Sequence, residues 1–167
     1  MNKHNADELE LGEAHELLIE LMSLPSWLRE KKVRERRFRR LDLAELLLVQ
    51  SESVQASCPK MSRELARAAQ LVAAQPYAVP TAARLDSILA RSLCLQGNAC
   101  RLLRDLAGAE ERFEEVVLYL TGETLSVERA MYCRLLSSLR EEQGRLDESM
   151  ALLWRAVEIL RTVKRMG

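Results

Sequence analysis

The sequence contains few of the residues that make tight turns. Only 6 glycines and 4 prolines occur among its 167 residues, roughly half the share that average usage would give. A β-sandwich or a β-barrel needs a turn about every 8–12 residues. The scarcity of turn residues therefore argues against an all-β fold.

Other absences argue against a membrane span and a strong overall electric field. No apolar run approaches the roughly 18 residues that cross a bilayer, and the polar, acidic start predicts no signal peptide. The 25 lysine and arginine residues balance the 25 aspartate and glutamate residues, so no net charge draws the chain to nucleic acid or to an anionic membrane. With 48% apolar and 30% charged residues, we expect one soluble, folded, mostly helical domain inside the cell.

The cysteines and histidines lack the spacing of a metal site. The four cysteines are Cys58, Cys94, Cys100 and Cys133. No two of them form a C-x-x-C pair, and both histidines lie far from them in sequence, so the spacing predicts no zinc site. Cysteines at apolar helical positions usually act as small hydrophobic residues. Reduced thiols of this kind suit the cytoplasm, which is the location that we predict.

Catalytic motifs are close to absent as well. His15 and Glu16 begin like the H-E-x-x-H motif of zinc proteases, but Ile19 replaces the second histidine, so two ligands cannot meet on one helix face. The chain has no P-loop, no G-x-G-x-x-G, no G-x-S-x-G and no EF-hand pattern. The acidic run at 110–115 is typical of a solvated helix face. We therefore predict no enzymatic activity, no catalytic residue, no metal and no cofactor.

Apolar spacing and break signals predict a series of helices. The breaks are Pro25, the serine-rich stretch 51–59, the pair Pro76 and Pro80, a turn at 106–108, a loop at 121–126 and Gly144. The helices predicted between them are 5–22, 27–48, 62–75, 81–105, 109–120, 127–143 and 146–166. The second of them carries the basic run 29–40 and reaches residue 48 either directly or through a second helix after a kink. Thr81 is the predicted cap of the fourth helix. Helices joined by turns of two to four residues lie antiparallel, so we expect successive helical hairpins.

The second helices of the hairpins share a spacing of small and large residues. In chain order, the three sets are Leu65-Ala69-Val72, Ala109-Phe113-Val116 and Ser149-Leu153-Ala156. The last two sets are 40 residues apart without a gap, and the first lies 44 residues earlier. A small residue allows close approach of a partner helix, and a large residue four positions on fills the groove between neighbouring hairpins. The spacing therefore predicts a helical repeat.

With these residues in place, the chain resembles the tetratricopeptide repeat (TPR) family. Gly97 stands 12 residues before Ala109, where the family has its first-helix glycine, and Phe113 occupies the family's aromatic position. The stretch 142–149 is similar to the family's turn between helices. The resemblance covers residues 81–166 and, less closely, 34–76. It implies an all-α, TPR-like solenoid of about three hairpins over 31–167, preceded by a helical extension over 1–30.

The chain departs from the family pattern at several positions. Leu93 and Cys133 replace the signature tryptophan, Cys100 and Arg140 replace the tyrosine, and the period is 40 residues rather than about 34. More loosely, the chain resembles TPR regions of bacterial multidomain regulatory proteins. In those proteins such a region often follows a DNA-binding domain or another effector domain.

The resemblance implies a protein-interaction module that binds a peptide or a helix of a partner protein. In such repeats the first helices line a concave groove. The groove positions that the resemblance implies here are Arg91, Asn98, Arg101, Leu102, Met131, Arg134 and Ser138. The Asn98 amide would hold a peptide backbone, and Arg101 and Arg134 would bind a carboxylate. Cys94 stands where the family's carboxylate clamp has a lysine, so binding of chaperone tails is not predicted.

A basic run leaves two interpretations open. Residues 29–40 contain eight cations against two carboxylates, whereas residues 1–24 contain six carboxylates against one lysine. The run could bind phosphates, which makes a nucleic-acid-associated regulator the alternative function. Alternatively, the two segments pair in charge, with Val33, Phe38 and Leu41 facing the core. We favour the pairing, because no aromatic residues alternate with the cations to stack on bases.

The last helix has a wider apolar arc than one packed face requires. The arc spans about 180°, whereas one face needs a stripe of about 100°. We predict that Leu152, Ile159 and Val163 pack on something outside this chain: a further repeat, a second copy or a partner. Trp154 falls within the polar arc and is a candidate anchor for a partner.

Overall fold

The computed structural model describes residues 3–75, 82–121 and 126–166, and every regular element in these ranges is a helix. The α-helices are α1 (Lys3–Ser23), α2 (Ser26–Lys32), α3 (Leu41–Val54), α4 (Pro59–Ala73), α5 (Ala82–Leu102), α6 (Leu106–Val116), α7 (Ser126–Glu142) and α8 (Leu146–Met166). Two short 3₁₀ segments, Arg36–Phe38 and Val117–Tyr119, accompany them. The all-α class is confirmed. None of the described helices is long and apolar enough to cross a membrane.

Three predicted boundaries were wrong for local reasons. The helix α3 continues to Val54 and α4 begins at Pro59, so the loop predicted over 51–59 contains only residues 55–58. The basic run does not lie on one helix, because α2 ends at Lys32 and the chain is extended at Arg40 before α3. The predicted turn at 106–108 is the start of α6, since the Asp105 side chain accepts a hydrogen bond from the Gly108 amide and caps the helix.

Several predicted signals cannot be compared with the structure. The breaks at Pro76 and Pro80, the cap at Thr81 and the loop residues 122–125 lie outside the described residues. The remaining helix boundaries agree with the sequence pattern to within three or four residues, as boundaries read from a pattern usually do.

Three hairpins follow one another along the chain: α3 with α4, α5 with α6, and α7 with α8. The turns of the second and third hairpins have the same hydrogen bonds, shifted by 40 residues. The amides of Arg104 and Asp105 donate to the carbonyls of Arg101 and Cys100, and the amides of residues 144 and 145 donate to the carbonyls of residues 141 and 140. Both turns are Schellman motifs. The left-handed residue is Arg104 (φ 67°) in one and Gly144 (φ 75°) in the other.

The first helices of the hairpins, α3, α5 and α7, lie side by side and run in the same direction. Polar pairs link neighbouring first helices at a nearly constant offset in sequence. The offset is 39 residues for Glu45–Arg84 and Glu52–Arg91 between α3 and α5, and 41 residues for Ser87–Glu128 and Arg101–Glu142 between α5 and α7. A constant difference in residue number across a helix pair requires parallel helices. The second helix α4 packs against both α3 and α5, and α6 packs chiefly on α5.

The junction between the second and third hairpins combines an aromatic plug with an ion pair. Phe113 of α6 is 1% exposed and lies against Gly97, where an added Cβ atom would come within 3.2 Å of the ring. The ring also meets Tyr132 of α7 edge to face, with centroids 6.2 Å apart. Beside it, the Arg140 guanidinium donates to both oxygens of the Glu110 carboxylate. Glu110 is therefore not part of the solvated face that the acidic run predicted.

The helices α1 and α2 pack onto the first hairpin. Ala14 and Leu21 of α1 are fully buried in the same apolar cluster as Leu43 of α3 and Leu65 of α4. The predicted boundary between residues 30 and 31 falls inside α2. The N-terminal helices therefore share a core with the repeat-like part.

Charge pairing accounts for much of the basic run. Arg37 pairs with Glu20 of α1, and Arg40 pairs with Glu13 of α1 and with Asp42. Arg29 is largely buried and donates to the carbonyls of Leu21 and Leu24 at the end of α1, as well as to the Glu64 carboxylate of α4. A cation that bonds the free carbonyls of a helix C-terminus stabilises that end.

The apolar residues of the same run face inward, as the pairing interpretation expected. Val33 and Phe38 are fully buried, and Leu41 is partly buried. The run thus alternates between cations that bind α1 or α4 and side chains that fill the first apolar cluster.

Candidate binding groove

The layer formed by α3, α5 and α7 contains a cavity of about 550 Å³. We call this cavity the α3–α5–α7 groove. Its lining residues are Glu52, Gln55, Arg91, Leu95, Val127, Glu128, Met131 and Arg134. The first helix of every hairpin contributes residues to this lining. The groove therefore depends on the side-by-side arrangement of the three hairpins.

Three of the predicted groove residues come together here: Arg91, Met131 and Arg134. Arg91 projects from α5, and the other two project from α7, one turn apart. The spacing of about 3.6 residues per helical turn places Met131 and Arg134 on one face of α7. These three residues are among the groove positions that the resemblance implied.

The other predicted positions lie elsewhere or are already engaged. Asn98 is buried and its side-chain oxygen accepts a hydrogen bond from Arg101 Nε at 2.9 Å. Arg101 also pairs with Glu142, so neither side chain is free to meet a peptide in the manner predicted. Leu102 is 36% exposed at the end of α5, and the Ser138 hydroxyl points back to the Arg134 carbonyl. The resemblance implied these positions but not the neighbouring side chains that engage them.

The groove contains one ion pair, between Arg91 and Glu52, and two further charged side chains, Glu128 and Arg134. Arg91 pairs with Glu52 at 3.0 Å, and the Ser87 hydroxyl donates to the Glu128 carboxylate. Arg134 is exposed and forms no ion pair within the part of the chain that the structure describes. The groove therefore presents the Arg134 cation, which a ligand carboxylate can neutralise, and the Glu128 carboxylate, which keeps its negative charge beside the Ser87 hydroxyl.

Three apolar side chains also line the groove. Leu95 is buried beneath it, Met131 is partly exposed, and Val127 is 58% exposed at its edge. An unbranched methionine adapts its shape to different apolar ligands. Together with Arg134, these residues can accept a segment that carries an apolar side chain near a carboxylate.

Glu52, Gln55 and Glu128 belong to the groove but were missed in the sequence. Glu52 and Gln55 fell within the loop predicted over 51–59, although Glu52 lies in α3 and Gln55 directly follows it. A usable signal was present: Glu45 and Glu52 lie 39 residues before Arg84 and Arg91, close to the repeat length. Opposite charges at the repeat offset indicate neighbouring helices.

The Cys94 and Cys133 thiols are buried. Burial raises the pKa of the Cys94 thiol and of the Cys133 thiol, which disfavours the reactive thiolate. In residues 3–75, 82–121 and 126–166, no group of three His, Cys, Asp or Glu side chains is placed to hold a metal ion. His15 is exposed on α1.

The apolar residues of α8 that we predicted to pack outside the chain are not its most exposed apolar residues. Leu152 packs against the second apolar cluster, while Ile159 and Val163 are partly buried. Trp154 is 65% exposed, as a candidate anchor requires. The exposed apolar side chains of the helix are instead Leu146, Met150, Leu153, Trp154, Val157 and Leu160.

No protein-family model, curated protein or solved structure matches this chain significantly. What the protein does is therefore inferred from its own residues, from the cavity across three hairpins and from the charges that surround it.

Proposed function

We propose that the protein is a non-enzymatic, cytoplasmic protein-interaction module with a regulatory role. In this proposal the three hairpins form a TPR-like array, and the α3–α5–α7 groove binds a peptide or a helix of a partner protein. The observation that carries the proposal is the cavity itself, which combines residues of all three hairpins. Its lining includes Arg134, for which the described residues supply no ion-pair partner, and the apolar side chains of Leu95, Val127 and Met131.

Equivalent contacts along the chain support the repeat. The hydrogen bonds of two hairpin turns recur with a shift of 40 residues, and the first helices are linked at offsets of 39 and 41 residues. A stack of equivalent hairpins builds a continuous surface from its first helices. Ligand choice is then left to the side chains on that surface.

The side chains favour a ligand that is both apolar and acidic. Arg134 would form a charge-assisted hydrogen bond with an aspartate, a glutamate or a C-terminal carboxylate. Met131 and Val127 would contact an apolar side chain of the same segment. Since Glu52 already pairs with Arg91, a basic ligand at Glu52 would have to compete with that ion pair.

Selection from a random peptide library tests the groove without knowledge of the partner. We expect the wild-type protein to enrich peptides with an acidic residue near an apolar residue. Individual peptides are then measured by calorimetry against Arg134→Glu and Met131→Asp. Each substitution should weaken binding by about tenfold or more, because it removes an ionic or an apolar contact at the centre of the site.

Arg36→Glu is the matched control, because Arg36 is an exposed arginine outside the groove. It makes the same change in net charge and should leave peptide affinity unchanged. Equal affinity of wild type and both groove variants for the selected peptides would contradict the proposal, as would a failure to enrich any peptide.

The alternative function, association with nucleic acid through residues 29–40, has less support in the structure. Arg37 and Arg40 are paired with α1, although Lys31, Arg34 and Arg36 are exposed. A salt titration with generic duplex DNA and RNA separates the two functions. Binding that falls steeply with salt and is lost in Arg34→Glu with Arg36→Glu would favour the alternative.

A further inference from the structure

One face of α8 is apolar and exposed along most of its length. The residues of this face, which we call the α8 stripe, are Leu146, Met150, Leu153, Val157 and Leu160, and they are 60%, 58%, 45%, 39% and 50% exposed. Their successive separations are four, three, four and three residues. At 100° per residue they fall within an arc of about 80°. This alternation is the spacing of the a and d positions of a coiled coil.

The stripe is separate from the face that α8 uses within its own chain. Ser149 and Ala156 are buried, and Leu152 packs against the second apolar cluster, which includes residues of α7. At 100° per residue, this inner face lies about 100° around the helix from the stripe. A second helix can therefore lie along the stripe without displacing α7.

The charges at the two ends of α8 favour an antiparallel neighbour of the same sequence. The first turn contains Asp147 and Glu148, and the last turn contains Lys164 and Arg165. An antiparallel copy of α8 places each acidic turn opposite a basic turn and opposes the two helix dipoles. A parallel copy would place like charges together. The charge pattern of the helix is thus complementary to itself.

We propose that two copies of this protein form a symmetric dimer through antiparallel α8 helices. Antiparallel pairing matches a positions with d positions: Met150 lies opposite Leu160 of the second copy, and Leu153 lies opposite Val157. In a two-fold symmetric antiparallel pair, the residues on one flank of the stripe face the same flank of the second copy. Trp154 therefore meets its own copy near the axis, and Asp147 faces Arg161 of the second copy.

In this dimer the exposed Trp154 contacts the second copy. Trp154 is 65% exposed in the single chain, and it flanks the stripe where the dimer axis passes. Aromatic residues near the centre of an interface often dominate its affinity. The dimer does not rest on the proposed groove, because no residue of α8 lines that cavity.

Sedimentation equilibrium over a wide concentration range tests the dimer. The wild-type chain should associate reversibly to a dimer, and Leu153→Glu with Leu160→Glu should raise the dissociation constant about tenfold or more. Both residues are exposed, so circular dichroism should show unchanged helicity. The matched control is Ile19→Glu with Leu118→Glu, two apolar residues that are 69% and 70% exposed elsewhere, and it should dimerise like wild type.

A charge exchange tests the direction of the helices. Asp147→Arg alone and Arg161→Asp alone should each weaken the dimer, because each places like charges across the interface. The double variant should restore the wild-type dissociation constant only if residue 147 of one copy faces residue 161 of the other. Trp27→Phe leaves Trp154 as the sole tryptophan, and its emission should shift to the blue on association.

Three results would overturn the proposal. They are a wild-type chain that stays monomeric up to its solubility limit, a dimer that the stripe variant does not weaken, and a double charge exchange that fails to restore association.

Discussion

The second and third hairpins contain the same motif in two different environments. In the second hairpin Ala109, Phe113 and Val116 are all buried. In the third hairpin Ser149 and Ala156 are buried at 6% exposure each, but Leu153, the equivalent of Phe113, is 45% exposed. The small residues are buried in both hairpins, whereas the large residue Phe113 contacts both Gly97 of its own hairpin and Tyr132 of the next hairpin. Its burial therefore depends on a neighbour that α6 has and α8 lacks within this chain.

The largest effect should come from truncating the two large residues. Phe113→Ala should lower the free energy of unfolding by about 3–5 kcal/mol, because it empties a closed space between Gly97 and Tyr132. Leu153→Ala, measured on the monomer at low concentration, should change it by no more than about 0.5 kcal/mol. Urea denaturation measures both variants. Equal losses would show that the two positions are not in different environments.

The ion pair between Glu110 and Arg140 should make the free energy of unfolding depend on pH. The Arg140 guanidinium and the Gln143 amide lower the pKa of Glu110 to about 2 from its ordinary value of 4.5. Because the folded state has the lower pKa, the stabilisation is fully present above about pH 4.5 and is lost as the pH falls towards 2. Glu110→Gln should reduce stability at pH 7 by about 1–2 kcal/mol.

Denaturation of wild type and Glu110→Gln at several pH values measures the difference. The gap between the two proteins should close as the pH approaches 2. Glu114→Gln is the matched control, because Glu114 is an exposed carboxylate on the same helix, and it should follow wild type at every pH. A constant gap across the range would mean that Glu110 does not stabilise the fold through its charge.

A smaller effect is expected where Phe113 meets the first helix of its hairpin. Gly97→Ala should destabilise by about 1 kcal/mol, although alanine is the better helix former, because its methyl group would lie 3.2 Å from the buried ring. In a Phe113→Leu background the same change should become stabilising. Stabilisation in the wild-type background would show that the ring can move aside.

The smallest effects should come from substitutions at the left-handed residues of the two Schellman turns. Arg104→Gly should stabilise the protein by about 0.5–1 kcal/mol, because Arg104 holds a left-handed conformation (φ 67°) that glycine adopts without strain. The loss of its ion pair with Glu142 offsets little, since the arginine side chain is 79% exposed. Gly144→Ala should have the opposite sign. Thermal unfolding of both variants would detect a change of a few degrees.

The groove shows which of its residues could be predicted from the sequence and which could not. The resemblance implied that Arg91, Met131 and Arg134 share a groove, and all three line the same cavity. Asn98 and Arg101 shared the same faces, yet one is buried and the other is bound to Glu142. Glu52 and Gln55 were assigned to a loop, because serine content and a following proline suggested an earlier end to α3. Which side chain fills a neighbouring space depends on the partner helix, and no local pattern contains that information.

The sequence by itself determined the helical class, the three hairpins and the 40-residue equivalence of the last two. These properties are local, because turn residues, apolar periodicity and chain length between turns fix them. Only the tertiary structure decided which flank of each apolar face is covered. A helix with a wide apolar arc can turn either edge to its neighbour, so the exposure of Leu153 and the partial burial of Leu152 follow from the way α7 packs on α8. That packing is set by contacts between residues distant in the chain.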